Sequence, residues 1–230
     1  DESIYDRGER AEYSYGWSEN FGTGDDGKRL DYLRGRVLEA GPDRVVLESE
    51  NQGGCYLVRK LAFSRADARF WILATPLVNH SDRPVPIHLF TGDDPWIGLY
   101  RSADGDVGWT PDGIVRTETA LGAGLFSAGG LYDLGNQALG QAEGSFSGQG
   151  DFFAMDERVD LPDIAAFANA FAHSERDVRP KRPLDQKTMI ALNLGWKNRT
   201  LAPGEGFTVA LAAGMAETGD ADGGTATVPR

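Results

Sequence analysis

Short apolar runs broken by polar or glycine-rich segments recur along the whole chain, and several alternate with a period of two. Tyr13, Tyr15 and Trp17 stand at every second position, as in a half-buried strand, and ENFGTGDDGK (19–28) reads as a loop. GRVLEA (35–40), RVVLES (44–49) and CYLVRKLAFS (55–64) are separated by Gly41-Pro42-Asp43 and Asn51-Gln52-Gly53-Gly54, which predicts a β-meander. Residues 70–78 and 84–91 predict a further strand pair joined by NHSDRP. Pro76 and Pro86 inside these runs place them at an edge or a bulge, because proline cannot donate to a ladder.

From 113 to 150 glycine is dense and the apolar residues come in bursts (Leu125, Phe126, Leu131, Tyr132, Leu134), which predicts short strands between long loops. LPDIAAFANAFAHS (161–174) predicts a helix. Pro162 suits the first turn, Asp163 the positive end of the dipole, and Ile164, Phe167, Ala168 and Phe171 form one stripe. KTMIALNLGWKN (187–198) and GFTVALAAGMAE (206–217) predict two closing strands, and the polar tail 218–230 is expected to fray. The fold class expected is all-β: a large antiparallel β-sandwich with one short helix near residues 161–174, forming a single domain over 1–230.

Composition agrees with this picture. In 230 residues, 40% hydrophobic, there are 30 glycines and 11 prolines, as a turn-rich β-protein requires. The 23 basic and 35 acidic residues leave a formal charge of −12, a field that repels phosphate backbones and anionic membrane surfaces. No nucleic-acid partner is expected, and no apolar run has the length of a membrane span. Cys55 is the only cysteine and lies in an apolar run, so a buried, inert thiol is expected and no internal disulfide can form. The sequence opens DESIYDRGERAEY, without Met or a basic-then-apolar leader. A start generated by processing, and a periplasmic or secreted location, are the expectation.

Three constellations could carry chemistry. The first is acidic: Asp93 and Asp94 in TGDDPW, then Asp104, Asp106 and Asp112 in SADGDVGWTPDG. Calcium takes six to eight hard oxygens, and Asp-Gly-Asp can turn two carboxylates inward, so Asp104, Asp106 and Asp112 are the candidate metal ligands and Ca2+ the cation they suit. Capping of backbone N–H groups in turns is the competing role. The second is aromatic: Trp96, Tyr100 and Trp109 could stack on sugar rings while Asp93, Asp94 and Asp106 accept hydroxyl bonds, with core packing as the alternative. The third is the histidines. His80 and His88 could meet across a hairpin over 76–90 and work as acid or base with Asp82 or Asp93, or simply pack. His173 is explained by the predicted helix end. A glycosidase-type carboxylate pair could be drawn from Asp93, Asp94, Asp106, Asp112 or Glu118. The chain has no G-x-S-x-G elbow, Walker A loop or zinc-type cysteine spacing.

Two segments resemble the galactose-mutarotase-like superfamily of large sandwiches. They are CYLVRKLAFSRADARFWILATPLVNHSDRPVPIHL, with its Asn-x-Ser-Asp-x-Pro turn, and WKNRTLAPGEGFTVALAAGMAE, where Pro-Gly-Glu introduces the last strand. The resemblance implies carbohydrate handling. Enzymes of that group use histidines with a glutamate base. His80 and His88 are the histidines it would recruit, and no Glu stands in a matching motif. The leading expectation is a carbohydrate-associated domain binding a sugar or polysaccharide through loops 92–112. The alternatives are a sugar-acting enzyme (epimerase, lyase or hydrolase type) using His80 or His88 with a loop carboxylate, and a structural or adhesive module that contacts a protein.

Overall fold

The computed structural model describes residues 2–5, 12–15, 18–22, 32–51, 56–64, 70–93, 105–133, 150–155, 160–170, 175–184 and 189–216. Its strands run β1 (Glu2–Tyr5), β2 (Glu12–Tyr15), β3 (Ser18–Gly22), β4 (Tyr32–Ala40), β5 (Arg44–Asn51), β6 (Tyr56–Ser64), β7 (Phe70–Asn79) and β8 (Val85–Asp93) in the first half. The second half supplies β9 (Asp106–Thr110), β10 (Gly113–Val115), β11 (Thr119–Leu121), β12 (Ala128–Asp133), β13 (Gly150–Met155), β14 (Ile164–Ala168), β15 (Ala191–Leu201) and β16 (Gly206–Ala216). A nine-stranded sheet has the order β10-β9-β12-β13-β16-β7-β6-β5-β4, a five-stranded sheet the order β11-β14-β15-β8-β3, and β1 pairs with β2. Every pairing is antiparallel. The protein is an all-β sandwich, and the predicted meander is β4-β5-β6.

Alternation along the strands builds the core. Leu77, Val209 and Leu211 from the large sheet meet Leu89, Phe167, Leu192, Leu194 and Trp196 from the small one. Trp196 is fully buried, and its indole N–H donates to the Asp160 carbonyl at 2.8 Å, so the largest core side chain leaves no polar atom unmatched. Side chains one residue out of phase gather on the opposite face of the large sheet: Val107, Trp109 and Tyr132, with Phe70, Ile114, Ala154 and Ala212. Gly108 and Leu131, in register with each other, point the other way, into the inter-sheet core.

The helix expected at 161–174 is a strand. Residues 164–168 form β14 between β11 and β15, and residues 171–174, with His173, lie outside the described residues. Ala165 and Phe167 face the inter-sheet core, while Ile164, Ala166 and Ala168 pack with Val178 and Ala120 on the other side. A strand buried on both faces has no polar alternation, and its short apolar run is indistinguishable by period from a helix stripe. Asp163 caps no helix. β15 has a bulge between Trp196 and Arg199, and the Asp163 carboxylate accepts the freed Lys197 N–H at 2.6 Å and an Arg199 N–H at 2.8 Å.

Two further expectations change. Residues 19–22, read as the start of a loop, belong to β3 on the edge of the small sheet. β7 and β8 are not a hairpin: each lies in a different sheet, so NHSDRP is an arch from one layer to the other. Pro76 sits in a central strand, where the β6–β7 ladder is interrupted between Val58/Leu77 and Leu61/Ala74. Pro86 pairs with Thr200 on one side, and β3 on the other side begins only at His88.

A second arch, residues 202–205, carries β15 into β16 beside the first. Asn79 joins the two. Its side-chain amide donates to the carbonyls of Arg83 (2.8 Å) and Leu201 (2.9 Å), and its Oδ1 accepts the Ser81 N–H and hydroxyl. Its backbone N–H donates to Glu205 O at 2.9 Å, and its carbonyl accepts Gly204 N–H at 2.8 Å. Gly204 has φ 76°, a left-handed conformation suited to glycine. The Asn-x-Ser-Asp-x-Pro and Pro-Gly-Glu turns, distant in sequence, are thus one structural unit.

Candidate functional site

β8 and β16 both start at the Asn79 end of the sandwich. β13, β12 and β9 then alternate in direction from β16, so β9 starts at the far end, where β8 stops. A register row Thr119–Phe167–Leu192–Asp93 crosses the small sheet there. The far end therefore collects Asp93, Asp106, and Glu118 with Asn169 just beyond β11 and β14.

This geometry divides the candidate residues. His80 and Asp82 are exposed in the first arch, at the Asn79 end. Eight strand steps separate Val85 from Asp93, about 26 Å, so His80 and Asp93 are held at opposite ends. His88 is in register with Gly22 within β8, and the meeting of His80 and His88 across a hairpin does not occur, because no hairpin exists. Asp106 opens β9 and is buried, whereas Asp112 is exposed in the turn beyond the other end of that strand. About 13 Å of extended chain from Asp106 to Thr110 keeps those two carboxylates off a common calcium loop. Among the described residues no group of three or more His, Cys, Asp or Glu side chains could hold a metal. Trp109 is only 2% exposed and belongs to the cluster with Val107 and Tyr132; as a stacking platform it is replaced by a packing role. Asp94, Trp96, Tyr100, Asp104 and Cys55 lie outside the described residues.

Sequence reasoning missed the polar cluster at the far end. Glu118 is buried and its carboxylate ties three segments together. Oε1 accepts the Asn169 side-chain amide at 2.9 Å and its backbone N–H at 3.3 Å, and stands 3.4 Å from Arg182 Nη1. Oε2 accepts the Arg179 backbone N–H at 2.6 Å. Residues 182–184 run antiparallel to 116–118, through Glu118 N–H to Arg182 O at 2.7 Å and Leu184 N–H to Arg116 O at 3.0 Å. The carboxylate that could have joined a hydrolytic pair is thus saturated by structural donors. The available clue was RPKRP, a proline-bracketed basic run in an acidic chain.

A second charged cluster crosses β4, β5 and β6 on the outer face of the large sheet. Glu48, in register with both Arg36 and Arg59, is buried between two exposed guanidiniums. Arg59 Nε donates at 2.8 Å and Arg36 Nε at 2.9 Å, with Arg36 Nη2 on the same carboxylate. The hydrogen bond from Arg59, then that from Arg36, holds the Glu48 carboxyl below its ordinary 4.5 against the opposing effect of burial. Glu48 is therefore a fixed anion at neutral pH and no general acid. A depressed folded-state pKa stabilises the fold fully above the unfolded value. That stabilisation is lost as pH falls through the folded one. The stability gap between wild type and Glu48→Gln should accordingly be widest at neutral pH and close in acid; melting curves at pH 7, 5 and 3 check it, and a gap constant across that range would refute the assignment.

No family model matches the sequence, and no curated protein matches it. Solved structures do share the fold. A galactose mutarotase-like protein from Lactobacillus casei ATCC 334 superposes with a TM-score of 0.59 at 9% identity, covering 93% of this chain and 92% of that one. A TPR-domain containing protein from Parabacteroides distasonis ATCC 8503 gives 0.52 at 12% identity, over 87% of this chain and 37% of that one. The chain thus shares its fold with a galactose mutarotase-like protein, in line with the resemblance of the two motif-bearing segments.

Proposed function

We propose that this chain binds a sugar or polysaccharide at the far end of the sandwich. Trp96 and Tyr100 stack on the ligand, and Asp93 and Asp94 accept its hydroxyl bonds. The supporting observation is the near full-length match to a galactose mutarotase-like protein, with 93% and 92% of the two chains superposed. Chain connectivity agrees: residues 94–104, which carry both rings, join the end of β8 to the start of β9. Binding is the activity proposed; turnover that pairs His80 with Asp93 is disfavoured, since the two stand at opposite ends of the molecule.

A glycan array followed by calorimetry on the best ligand tests this. Trp96→Ala or Tyr100→Ala should weaken binding roughly tenfold, the order expected for loss of one stacked ring. Trp109→Phe should lower stability and leave affinity unchanged. Wild-type protein that binds no glycan ends the proposal.

A further inference from the structure

Arg176, Arg179, Lys181 and Arg182 place four cations against one carboxylate, Asp177, within seven residues of a chain whose net charge is −12, and the neighbouring Glu175 is engaged by Lys197. The first three are exposed, and among the described residues no carboxylate lies within ion-pair distance of their side chains. Arg182 N–H donates to Arg179 O at 3.0 Å, closing a β-turn with Pro180 second and Lys181 third. Lys181 has φ 72°, the left-handed conformation that the third position of a type II turn demands and that glycine or asparagine ordinarily fills. It is the single non-glycine residue among those described with positive φ. A lysine held there costs folding energy of the kind that persists where a side chain is required. Pro180 fixes the approach, and buried Glu118 clamps the turn through the Arg179 N–H and the Arg182 guanidinium, so the cations are presented on a rigid base.

From this we infer that the 176–182 turn is an anion-recognition surface for the carboxylate or sulfate groups of an acidic polysaccharide. The inference rests on the carbohydrate reading above and narrows its substrate class. The overall charge of −12 opposes any polyanion at long range, but charges beyond about 8 Å are screened at physiological salt, so for a group docked at the turn the local cations decide. A narrow polysaccharide chain can meet the turn alone. A DNA duplex, with one charge per roughly 1.7 Å of axis and a broad face, would bring many more charges against a chain of net negative charge.

The experiment measures affinity for polygalacturonate, dextran sulfate, neutral dextran and duplex DNA at two salt concentrations. It uses wild type, Lys181→Gly and Arg179→Ala, with melting temperatures recorded for each. Arg179→Ala keeps the backbone N–H that Glu118 holds. Wild type should bind at least one polyanionic glycan more weakly at high salt, and which one separates carboxylate from sulfate. Each variant should lose roughly two- to fivefold in affinity, the scale of one exposed ion pair. Lys181→Gly should do so while raising the melting temperature, a combination that a purely structural lysine would not give. Unchanged polyanion affinity in both variants overturns the inference and leaves the carbohydrate reading standing if other glycans bind. DNA bound as tightly as the acidic glycans also overturns it, as undirected electrostatics. Absence of binding to every glycan removes the parent reading and this one with it.

Discussion

Asn79→Ala should lower the unfolding free energy by about 3 kcal/mol, measured by urea denaturation with an unchanged m-value. The side chain is fully buried and supplies both donors that satisfy the Arg83 and Leu201 carbonyls, while its oxygen takes two donors from Ser81. Truncation takes the side-chain donor from the buried Leu201 carbonyl and the acceptor from the Ser81 N–H at the junction of two arches, while the Arg83 carbonyl keeps the Ser81 hydroxyl; each orphaned buried group costs about 1–3 kcal/mol. Asn79→Asp should be worse, because a carboxylate cannot donate to either carbonyl and adds repulsion beside them. Ser81→Ala removes only a hydroxyl, whose single proton goes to Asn79 Oδ1 or to the Arg83 carbonyl; Oδ1 keeps the Ser81 N–H and the Arg83 carbonyl keeps the Asn79 amide, so the cost should be under about 1 kcal/mol. An Asn79→Ala protein as stable as wild type would show that the arches are held by their backbone bonds alone.

Gly129→Ala should be comparably damaging, at about 3 kcal/mol or more. A Cβ there would stand 2.6 Å from the Trp109 carbonyl oxygen and 2.8 Å from Phe126 Cε2. The carbonyl belongs to the β9–β12 ladder, where Trp109 is in register with Gly130, and the Phe126 ring is itself buried, so neither obstacle can withdraw without opening the large sheet. Gly108→Ala meets the Phe167 ring at 2.5 Å between the sheets and should follow closely. Gly41→Ala is the control: its nearest neighbours lie at 3.6 Å and 3.7 Å, ordinary contact, so its midpoint should match wild type. Thermal and denaturant melts of the three variants check the order.

Strand identity was legible where one face of a strand is wet, as in β5, β6 and β16, or where polar residues bound the apolar run, as in β15. The pattern failed at β14, where burial on both faces erases alternation, and at β3, whose residues SENFG carry too few apolar side chains to mark a strand. Pairing was less legible than strand identity. A turn such as NHSDRP reverses the chain equally well within a sheet or between sheets. The pairing of β7 with β16 and of β8 with β15, both remote in sequence, makes it an arch, and the Asn79 bond to Leu201 across 122 residues fastens it. That topology also explains the candidate site. Proximity in sequence grouped Asp106, Trp109 and Asp112, but a five-residue strand carries them from one end of the sheet toward the other, alternating buried faces on the way. The Glu118 cluster was invisible for the opposite reason: its members come from residues 118, 169, 179 and 182, and no local motif links them.

The interior pairing of the small sheet has a bearing on how the molecule forms. Val85 is in register with Leu201, and β16, the last of the described strands, is inserted between β13 and β7 in the middle of the large sheet. Neither layer can complete itself from locally adjacent segments, and a chain closing such long loops assembles slowly, on the millisecond-to-second scale of high-contact-order β-proteins. During synthesis β7 and β8 must wait, each with one ladder edge open, until β15 and β16 leave the ribosome.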